Sequence, residues 1–453
     1  MPNDAPRGSP RVWMDGFGLS LVGGTGIATY SRGLAATLGE SGLGLGLLYG
    51  RPIGGRPIGT ASDAMAREIA FFDSRVRLDY RLARRLAGIW GPQRAIAVPA
   101  AGAVERGLTS TGLHQTFSTA NVPPCDALWN AHDIFGRAVV NMRVRRRLLR
   151  VSAQGAPPPA LMHWTHMHGV RLEGARNIYT IHDAIPMRLP WATLDHKDAW
   201  VRTARAVAAT ADHILTVSEH SRRDLITLVG IPEERISNIY QPVYPPSHGL
   251  DPRMSRERLE TVFGLEDRGY HLCLSAVDPR KNLARALDAY VASGITRPMV
   301  IVGGKSGNAE PELRLLTEAG GTRSRDGRIR HLGYLPRTDV DVLLRHARSL
   351  CFPTLYEGFG LPAVEAMQAG TAVLTSTASC MPEVVGEAAL KVNPVDLRAL
   401  TEAMIALDTD DDLRRRLEAE GPVRAALFTP ERHTARLAAL HARLGAPWPE
   451  PPA

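Results

Sequence analysis

The sequence has few cysteines, few lysines and no long apolar run. Its four cysteines, Cys125, Cys273, Cys351 and Cys380, lie far apart and show neither metal-ligand nor redox spacing. We interpret them as small apolar residues in a reducing compartment, so we expect a cytoplasmic protein. No stretch approaches the roughly 18 uninterrupted apolar residues of a membrane-spanning helix. The first residues, MPNDAPRGSP, lack the apolar segment of a secretory signal, and none is expected.

Positive charge is carried almost entirely by arginine, because only Lys197, Lys281, Lys305 and Lys391 are lysines. The 54 basic and 46 acidic residues give a net charge of +8, which permits anionic partners. Nucleic acid is not expected among these partners, because the sequence has no zinc-finger spacing and no aromatic-rich RNA-binding signature.

One basic run, Arg143–Arg150 (RVRRRLLR), places five arginines on a helical pattern. Such a run docks on anionic membrane surfaces in some proteins and is a solvated helix face in others. Both interpretations stay open from the sequence.

A chain of 453 residues is long enough for two domains. Its C-terminal half alternates short β-rich apolar runs with helical patterns, which predicts a doubly wound parallel sheet. The predicted strands are Tyr270–Val277, Met299–Gly303, Arg328–Gly333, Ser349–Pro353 and Thr371–Ser376. The predicted helices are Leu283–Val291, Pro311–Glu318, Val340–Ala347 and Leu361–Gln368.

The N-terminal half follows the same alternation with longer interruptions. Its predicted elements are a strand at Arg11–Asp15, a helix at Ile27–Leu38, strands at Asn177–Ile181 and His213–Val217, and a helix to Val229 capped by Ser218. The segment Gln241–Pro252 holds four prolines and predicts a linker. We therefore expect domains at residues 1–245 and 246–453, with the last helix crossing back to the first domain.

The densest motif is Phe352–Gly370, FPTLYEGFGLPAVEAMQAG. A strand is followed by a glycine loop and by a helix with Pro362 in its first turn, where proline is tolerated. The unpartnered amides of such a helix start bind phosphates or sugar hydroxyls. Glu357 precedes the helix and Glu365 lies one turn inside it, so both can face one ligand.

A dinucleotide fingerprint is the competing interpretation, because Gly358, Gly360 and Ala363 fit G-x-G-x-x-A. That fingerprint normally follows the first strand of its domain, whereas this one follows the fourth, so we reject it.

Two cations, Arg280 and Lys281, follow the first C-terminal strand, at the edge where open α/β sheets bind ligands. Adjacent cations there can neutralise a diphosphate and stabilise charge that builds on it. Lys305 lies in GGKSG, but the position that needs the first Walker glycine is Met299, so this is no P-loop. We expect Lys305 near the cleft mouth, either contacting nucleotide or solvated.

In the N-terminal half, Gly23, Gly24 and Gly26 predict a turn that brings backbone close to a phosphate, or an ordinary strand–helix turn. His182 follows the apolar strand NIYTI. The spacing of His163, His166 and His168 suggests a metal site, but no Asp, Glu or Cys lies near them in the sequence. We favour a packing or acceptor-side role for these three and expect neither a metal nor a cofactor.

The pair Glu357 and Glu365, within E-G-F-G-L-P-x-x-E-A-M, resembles the E-x7-E motif of family 4 retaining glycosyltransferases. Other landmarks of that family recur in order, over roughly Gly23 to Gly386. They are GGTGIATYSRGL, IHDAIP, LTVSEHSRRDL, DPRKN, IVGG and HLGYLP. One departure is that many members carry a Gly-Arg pair where this chain has Ser275, Ala276 and Val277.

The resemblance implies a GT-B fold, two Rossmann-like domains facing a cleft, with the donor held mainly by the second. It assigns catalytic roles to His182, Glu357, Arg280 and Lys281. It assigns donor contacts to Gly23, Gly24, Lys305, Phe359, Gly360, Leu361 and Glu365.

The sequences HDAIP and PRKN are similar to the corresponding motifs of bacterial mannosyltransferases that build exopolysaccharide or O-antigen. The resemblance thus implies metal-independent, retaining transfer of mannose from GDP-mannose to a lipid-linked oligosaccharide at the inner membrane face. Two alternatives stay open. One is a sugar-nucleotide epimerase on the same architecture, and the other is a non-catalytic glycan-binding homologue.

Overall fold

The computed structural model describes residues 11–21, 26–51, 93–98, 123–193, 196–245, 251–304, 328–446 and 448–449. Gly23, Gly24, Lys305, the expected helix Pro311–Glu318 and residues 246–250 of the expected linker lie outside these residues. The described residues form two separate, largely parallel sheets covered by helices.

The first sheet belongs to the N-terminal half. Its strands are β1 (Val12–Asp15), β2 (Leu45–Tyr49), β3 (Gln93–Val98), β4 (Ala127–Asn130), β5 (Leu149–Gln154), β6 (Leu161–Trp164), β7 (Val170–Leu172), β8 (Arg176–Thr180), β9 (His213–Thr216) and β10 (Ile236–Asn238). They are ordered β10-β9-β8-β6-β1-β2-β4-β3-β5-β7, and β3 runs antiparallel to β4. Its helices are α1 (Gly26–Gly39), α2 (Ile134–Arg145), α3 (Ile185–Arg188), α4 (Lys197–Thr210) and α5 (Glu219–Val229).

The second sheet belongs to the C-terminal half. Its strands are β11 (His271–Leu274), β12 (Met299–Val302), β13 (Ile329–His331), β14 (Ser349–Phe352), β15 (Ala372–Ser376) and β16 (Leu390–Val392), in the order β13-β12-β11-β14-β15-β16. Its helices are α6 (Pro252–Arg258), α7 (Leu283–Ser293), α8 (Arg337–His346), α9 (Leu361–Gln368), α10 (Met381–Val385), α11 (Leu397–Thr409), α12 (Asp411–Ala425) and α13 (Pro430–Arg443).

All five strands predicted in the C-terminal half are present, each shorter than predicted. The helix predicted at Leu361–Gln368 has those bounds, and the fold class is confirmed. Strand β16 was not predicted, because its three residues are partly exposed and carry no clear alternation.

Local signals explain why α5 begins and ends where it does. The Ser218 hydroxyl oxygen accepts a hydrogen bond from the Ser221 amide, as predicted for an N-cap. Gly230 ends the helix with φ of 82°, a conformation that glycine adopts without steric cost.

The prediction that Arg143–Arg150 continues a helix is wrong. Helix α2 ends at Arg145, Arg146 has φ of 55°, and strand β5 starts at Leu149. The Leu149 amide donates to the carbonyl of Gly169 at 2.7 Å, so the chain must leave the helix to join the sheet. All five arginines are nevertheless exposed.

Helix α13 returns to the N-terminal half and contacts it through buried histidines. The Nε2 atoms of His441 and of His163 in β6 lie 2.8 Å apart. The Trp448 indole N–H donates to His441 Nδ1 at 2.9 Å. His441 must therefore carry its proton on Nε2 and donate it to His163, so both rings are neutral. Burial lowers the pKa of His441 to about 4 and that of His163 well below its usual value.

Each helix among the described residues is too short or too polar to span a lipid bilayer.

The histidine contact predicts acid-sensitive stability. The unfolded chain binds protons at these imidazoles below about pH 6.5, whereas folded His441 resists protonation down to about pH 4. The free energy of unfolding should therefore fall as the pH drops from 6.5 to 4, by about 3 kcal/mol for His441 alone. Denaturant titrations between pH 7.5 and 4.5 should show a smaller decline for His441→Gln than for the wild type. The exposed His132→Asn variant should follow the wild type, and equal slopes in all three would contradict the assignment.

Candidate active site

Two charged residues of the C-terminal half meet where neighbouring parallel strands end. Lys281 follows β11 and Glu357 follows β14, and these strands pair directly. The Lys281 ammonium donates to Glu357 Oε1 at 2.5 Å, and the Thr354 hydroxyl donates to the same oxygen at 2.9 Å. Among the described residues, none donates to Glu357 Oε2, which leaves that oxygen for a ligand.

The Glu357 carboxylate stays charged although it is only 7% exposed. Burial raises its pKa, but the charges of Lys281 and Arg280 and the two hydrogen bonds outweigh burial, so the net pKa lies below the usual range.

Arg280 presents its guanidinium beside this pair. Its Nε donates to both oxygens of Asp278 at 3.1 Å. Its two terminal nitrogens have no acceptor among the described residues, and the side chain is 26% exposed. Burial lowers the pKa of Arg280, but the carboxylates of Glu357, Asp278 and Asp183 outweigh it, so the guanidinium stays charged. A cation with free donors at the carboxyl edge of a sheet suits a phosphate.

The helix start predicted to bind a phosphate has the expected geometry. Gly360 lies directly before α9 with φ of 89°, and no side chain caps the helix. This positive φ favours glycine, and a Cβ there would also lie 2.7 Å from the Met381 sulfur. The Phe359 ring is 3% exposed and packs edge-on against Phe428, with centroids 5.2 Å apart, so only its backbone is available to a donor.

Glu365 lies one turn inside α9, and its partner is Arg337 of α8. Arg337 also contacts Asp341, with Nε and Oδ1 2.8 Å apart. Burial raises the pKa of Glu365 and outweighs the neighbouring Arg337. The structure thus gives the two glutamates of the motif different cationic partners.

His182 lies across the cleft, after β8. Its Nε2 lies 2.9 Å from the Thr165 carbonyl, which can only accept, so the proton must be on Nε2. Burial lowers the pKa of His182 to about 4. The neutral ring therefore offers Nδ1 as a hydrogen-bond acceptor.

Asp183 follows His182 and was not singled out from the sequence. Its Oδ1 accepts from the Ile185 amide at 3.0 Å. A Cβ built on Gly358 would lie 3.1 Å from Asp183 Oδ2 and 3.1 Å from the His182 carbonyl. Gly358 therefore lets the Glu357 loop approach the N-terminal half closely. Burial raises the pKa of Asp183 despite the nearby Arg280 and Lys281.

His166 and His168 pack together after β6, whereas His163 lies within β6 and contacts His441 instead. The rings of His166 and His168 lie 5.5 Å apart, and His166 stacks on His182 at 6.3 Å. Over the part of the chain that the structure describes, no group of three His, Cys, Asp or Glu side chains is placed to hold a metal ion.

The sequence pattern missed several residues that the fold brings to this cleft, namely Asp183, Asp224, Arg337, Tyr356 and Glu383. Asp183, Asp224, Arg337 and Tyr356 lie within or beside a quoted motif, whereas Glu383 lies outside all of them. Adjacency to a motif was the only signal available for the first four, and Glu383 carried none.

Lys281→Met should destabilise the protein strongly, because it removes the only cation that hydrogen-bonds the buried Glu357 carboxylate among the described residues. Breaking one side of a buried pair costs about 3–5 kcal/mol. The double variant Lys281→Met/Glu357→Gln should recover most of that loss in urea titrations. As a surface comparison, Arg398→Met breaks an ion pair whose side chains are 87% and 63% exposed, and it should cost less than about 1 kcal/mol. An additive double variant would contradict the pairing.

Two segments of the chain match models of known glycosyltransferase families. Residues 255–424 match the model described as "Glycosyl transferases group 1", and residues 126–245 match "Glycosyltransferase Family 4". Anabaena Alr3699/HepE in complex with UDP has a TM-score of 0.60 at 14% identity, over 95% of this chain and 99% of that chain. At that identity the likeness shows the fold alone, which is GT-B.

Two curated relatives are bacterial. The "O-antigen chain mannosyltransferase B" of Escherichia coli is 36% identical over 230 residues, 50% of this chain and 59% of that protein. The "Serotype-specific mannosyltransferase WbdA" of Escherichia coli is 31% identical over 231 residues, 48% of this chain and 27% of that protein. The chain thus spans less than two thirds of the length of either relative. The two family matches together cover more than half of the chain, which belongs to the family 4 glycosyltransferases.

Proposed function

We propose that this protein transfers a hexose from a nucleoside diphosphate sugar to a glycan acceptor in bacterial polysaccharide synthesis. The observation that carries the proposal is the meeting of Glu357, Lys281 and Arg280 with His182 and Asp183 at the facing carboxyl edges of two sheets. The mannosyltransferase relatives support the same class of reaction.

The diphosphate is the group that Arg280 and the start of α9 bind in this proposal. The free guanidinium nitrogens and the uncapped amides of Gly360 and Leu361 supply donors without a metal ion. As the sugar C1–oxygen bond to the diphosphate breaks, negative charge grows on that group, and these donors stabilise it. The acceptor oxygen bonds to C1 on the same face, with retention, and its proton passes to the departing phosphate oxygen.

His182 and Glu357 contact the sugar from opposite sides of the cleft. Neutral His182 accepts a hydrogen bond from a sugar hydroxyl through Nδ1. Glu357 places its unpartnered Oε2 near the ring, where positive charge develops in the transition state. Glu365 is proposed to bind the ribose hydroxyls, and its contact with Arg337 fixes the carboxylate.

We propose mannose from GDP-mannose as the transferred group and a lipid-linked oligosaccharide as the acceptor. The names of the relatives support mannose, because both are mannosyltransferases. Residues 1–245 would then bind the acceptor and residues 246–453 the nucleotide sugar.

A donor panel tests the proposal. GDP-mannose, GDP-fucose, UDP-glucose and UDP-galactose are compared by thermal shift, since a ligand at 100 times its Kd stabilises by about 2.7 kcal/mol. Product analysis with an alkyl α-mannoside acceptor then separates transfer, which releases free GDP, from epimerisation, which does not. Binding of glycan without turnover would favour the non-catalytic alternative. Loss of activity in EDTA, restored by manganese, would contradict the metal-independent mechanism.

Glu357→Gln and Glu365→Ala should change different kinetic constants. Losing the ribose contact of Glu365 removes about 1.5–3 kcal/mol of binding that is equal before and during reaction. Donor KM should therefore rise roughly 10- to 150-fold with little change in kcat. Glu357→Gln should lower kcat more than it changes donor KM.

Steady-state kinetics and GDP titration calorimetry measure both effects, with the exposed Glu402→Ala as a control. The assignment of roles is wrong if Glu357→Gln weakens GDP binding while turnover persists, or if Glu365→Ala binds GDP normally.

An anionic membrane surface is the proposed docking partner of the N-terminal half. The exposed arginines around the end of α2 adjoin a groove of about 710 Å³ whose lining includes Arg143, His196, Lys197 and Arg202. Trp191 lies two residues before Thr193, which lines the groove, and is 59% exposed. Val139 and Val144 of α2 are each 51% exposed. Cations beside exposed apolar side chains suit a surface of anionic lipid head groups.

Vesicle binding tests this surface. Replacing Arg143, Arg145 and Arg147 by Gln should weaken binding to phosphatidylglycerol vesicles by about 100-fold, at about 1 kcal/mol per arginine. Salt should reduce wild-type binding steeply. A control with Gln at Arg398, Arg415 and Arg416, which are exposed on the C-terminal half, should bind like the wild type. Equal loss in both variants would mean that net charge alone is responsible.

A further inference from the structure

The first turn of α5 is capped partly by the other half of the protein. Its first two amides, those of Glu219 and His220, donate to the Glu383 carboxylate of α10 at 2.7 and 2.9 Å. The third, Ser221, donates to its own N-cap Ser218 at 3.1 Å. These amides have no partner within the helix, and the helix dipole favours a negative group there. One bidentate carboxylate from the C-terminal half therefore satisfies two of the three.

One turn further along, α5 also holds a residue of the Glu357 loop. The Tyr356 hydroxyl donates to Asp224 Oδ2 at 2.6 Å. Asp224 is 4% exposed and also accepts from Arg188 at 2.5 Å, while His220 Nε2 lies 3.4 Å away. Burial raises the pKa of Asp224, but the bonds from His220, Arg188 and Tyr356 outweigh it, and the net pKa lies well below its usual range.

Tyr356 directly precedes Glu357, so the contact with Asp224 acts on the backbone that carries the candidate catalytic carboxylate. The Glu357 amide donates to Ser379 Oγ at 3.1 Å, and that hydroxyl donates to the Glu357 carbonyl at 2.7 Å. The Ser379 contact lies within the C-terminal half, whereas the Tyr356 contact forms only when the two halves meet.

Glu383 is itself held in place. The Arg424 guanidinium donates to the backbone carbonyls of Glu383 and Val384, the second at 2.9 Å. Arg424 thus fixes the C-terminal end of α10 to α12. The Glu383 side chain is therefore held in a position from which it contacts α5.

We propose that Asp224 and Glu383 are positioning residues that hold the two halves together at α5. Through Tyr356, this contact orients the Glu357 carboxylate for the reaction. The idea rests on the proposed role of Glu357. It assigns a joint task to three residues that have no role in binding the diphosphate or the sugar in the proposed mechanism.

Two conservative variants test it, each with a matched control. Tyr356→Phe removes only the hydroxyl that Asp224 binds, and Glu383→Gln weakens the cap on α5. Tyr290→Phe removes another buried hydroxyl bond, 2.8 Å to the Arg297 carbonyl, and Glu402→Gln changes an exposed carboxylate. Both test variants should lower kcat about tenfold with donor KM changed less than threefold. The double variant should lose little more than either single one, because both act on the same contact between the halves.

Tyr290→Phe should lower the melting temperature as much as Tyr356→Phe does while leaving kcat unchanged. If Tyr356→Phe instead behaves like Tyr290→Phe, the residue is only structural and the proposal fails.

A second measurement does not depend on turnover. The four native cysteines are buried, so thiol spin labels at Val139→Cys and Val395→Cys, both exposed, report the distance between the halves. With saturating GDP, Tyr356→Phe and Glu383→Gln should shift the distance distribution to longer values, and Tyr290→Phe should not. An unchanged distribution in both test variants would overturn the proposal. A wild type that turns over no donor of the panel would overturn the proposed function instead, while the distances still decide whether α5 holds the halves together.

Discussion

The burial of opposite charges at the cleft is the constraint on which the rest of the site depends. Glu357, Asp183 and Asp278 face Arg280 and Lys281 in a region where no carboxylate is well solvated. Taking a charge out of water costs several kcal/mol, so each member requires its partners. The cost explains why Glu357 accepts two hydrogen bonds on one oxygen and why the pKa of Asp183, which has fewer donors, is raised.

The same constraint prepares the cleft for a charged ligand. Donors already fixed by the fold need no reorganisation when negative charge develops on a departing diphosphate. Arg280 illustrates this, because Asp278 orients its Nε edge while the terminal nitrogens stay available. His182 is oriented in the same way by the Thr165 carbonyl, and burial keeps its ring neutral.

Contacts between the halves use polar groups that would otherwise be unsatisfied. The first amides of α5 meet Glu383, the Tyr356 hydroxyl meets Asp224, and His441 meets His163. Since a buried polar group without a partner costs about 1–3 kcal/mol, each of these contacts favours one arrangement of the halves over others. Gly358 favours that arrangement sterically, because a Cβ there would lie only 3.1 Å from Asp183 Oδ2 and from the His182 carbonyl oxygen.

The sequence by itself determined the parallel α/β class, the first five C-terminal strands, the Ser218 cap and the bounds of α9. These features depend on local periodicity and on capping within a few residues, which a sequence displays directly. Only the tertiary structure decided which charges pair. Lys281 and Glu357 are 76 residues apart, and Asp224 and Tyr356 are 132 apart, so their meeting depends on strand order and on how two sheets face each other. The end of α2 at Arg145 was likewise decided by the sheet, because Leu149 must pair beside Gly169, and no local preference in an arginine-rich run encodes that demand.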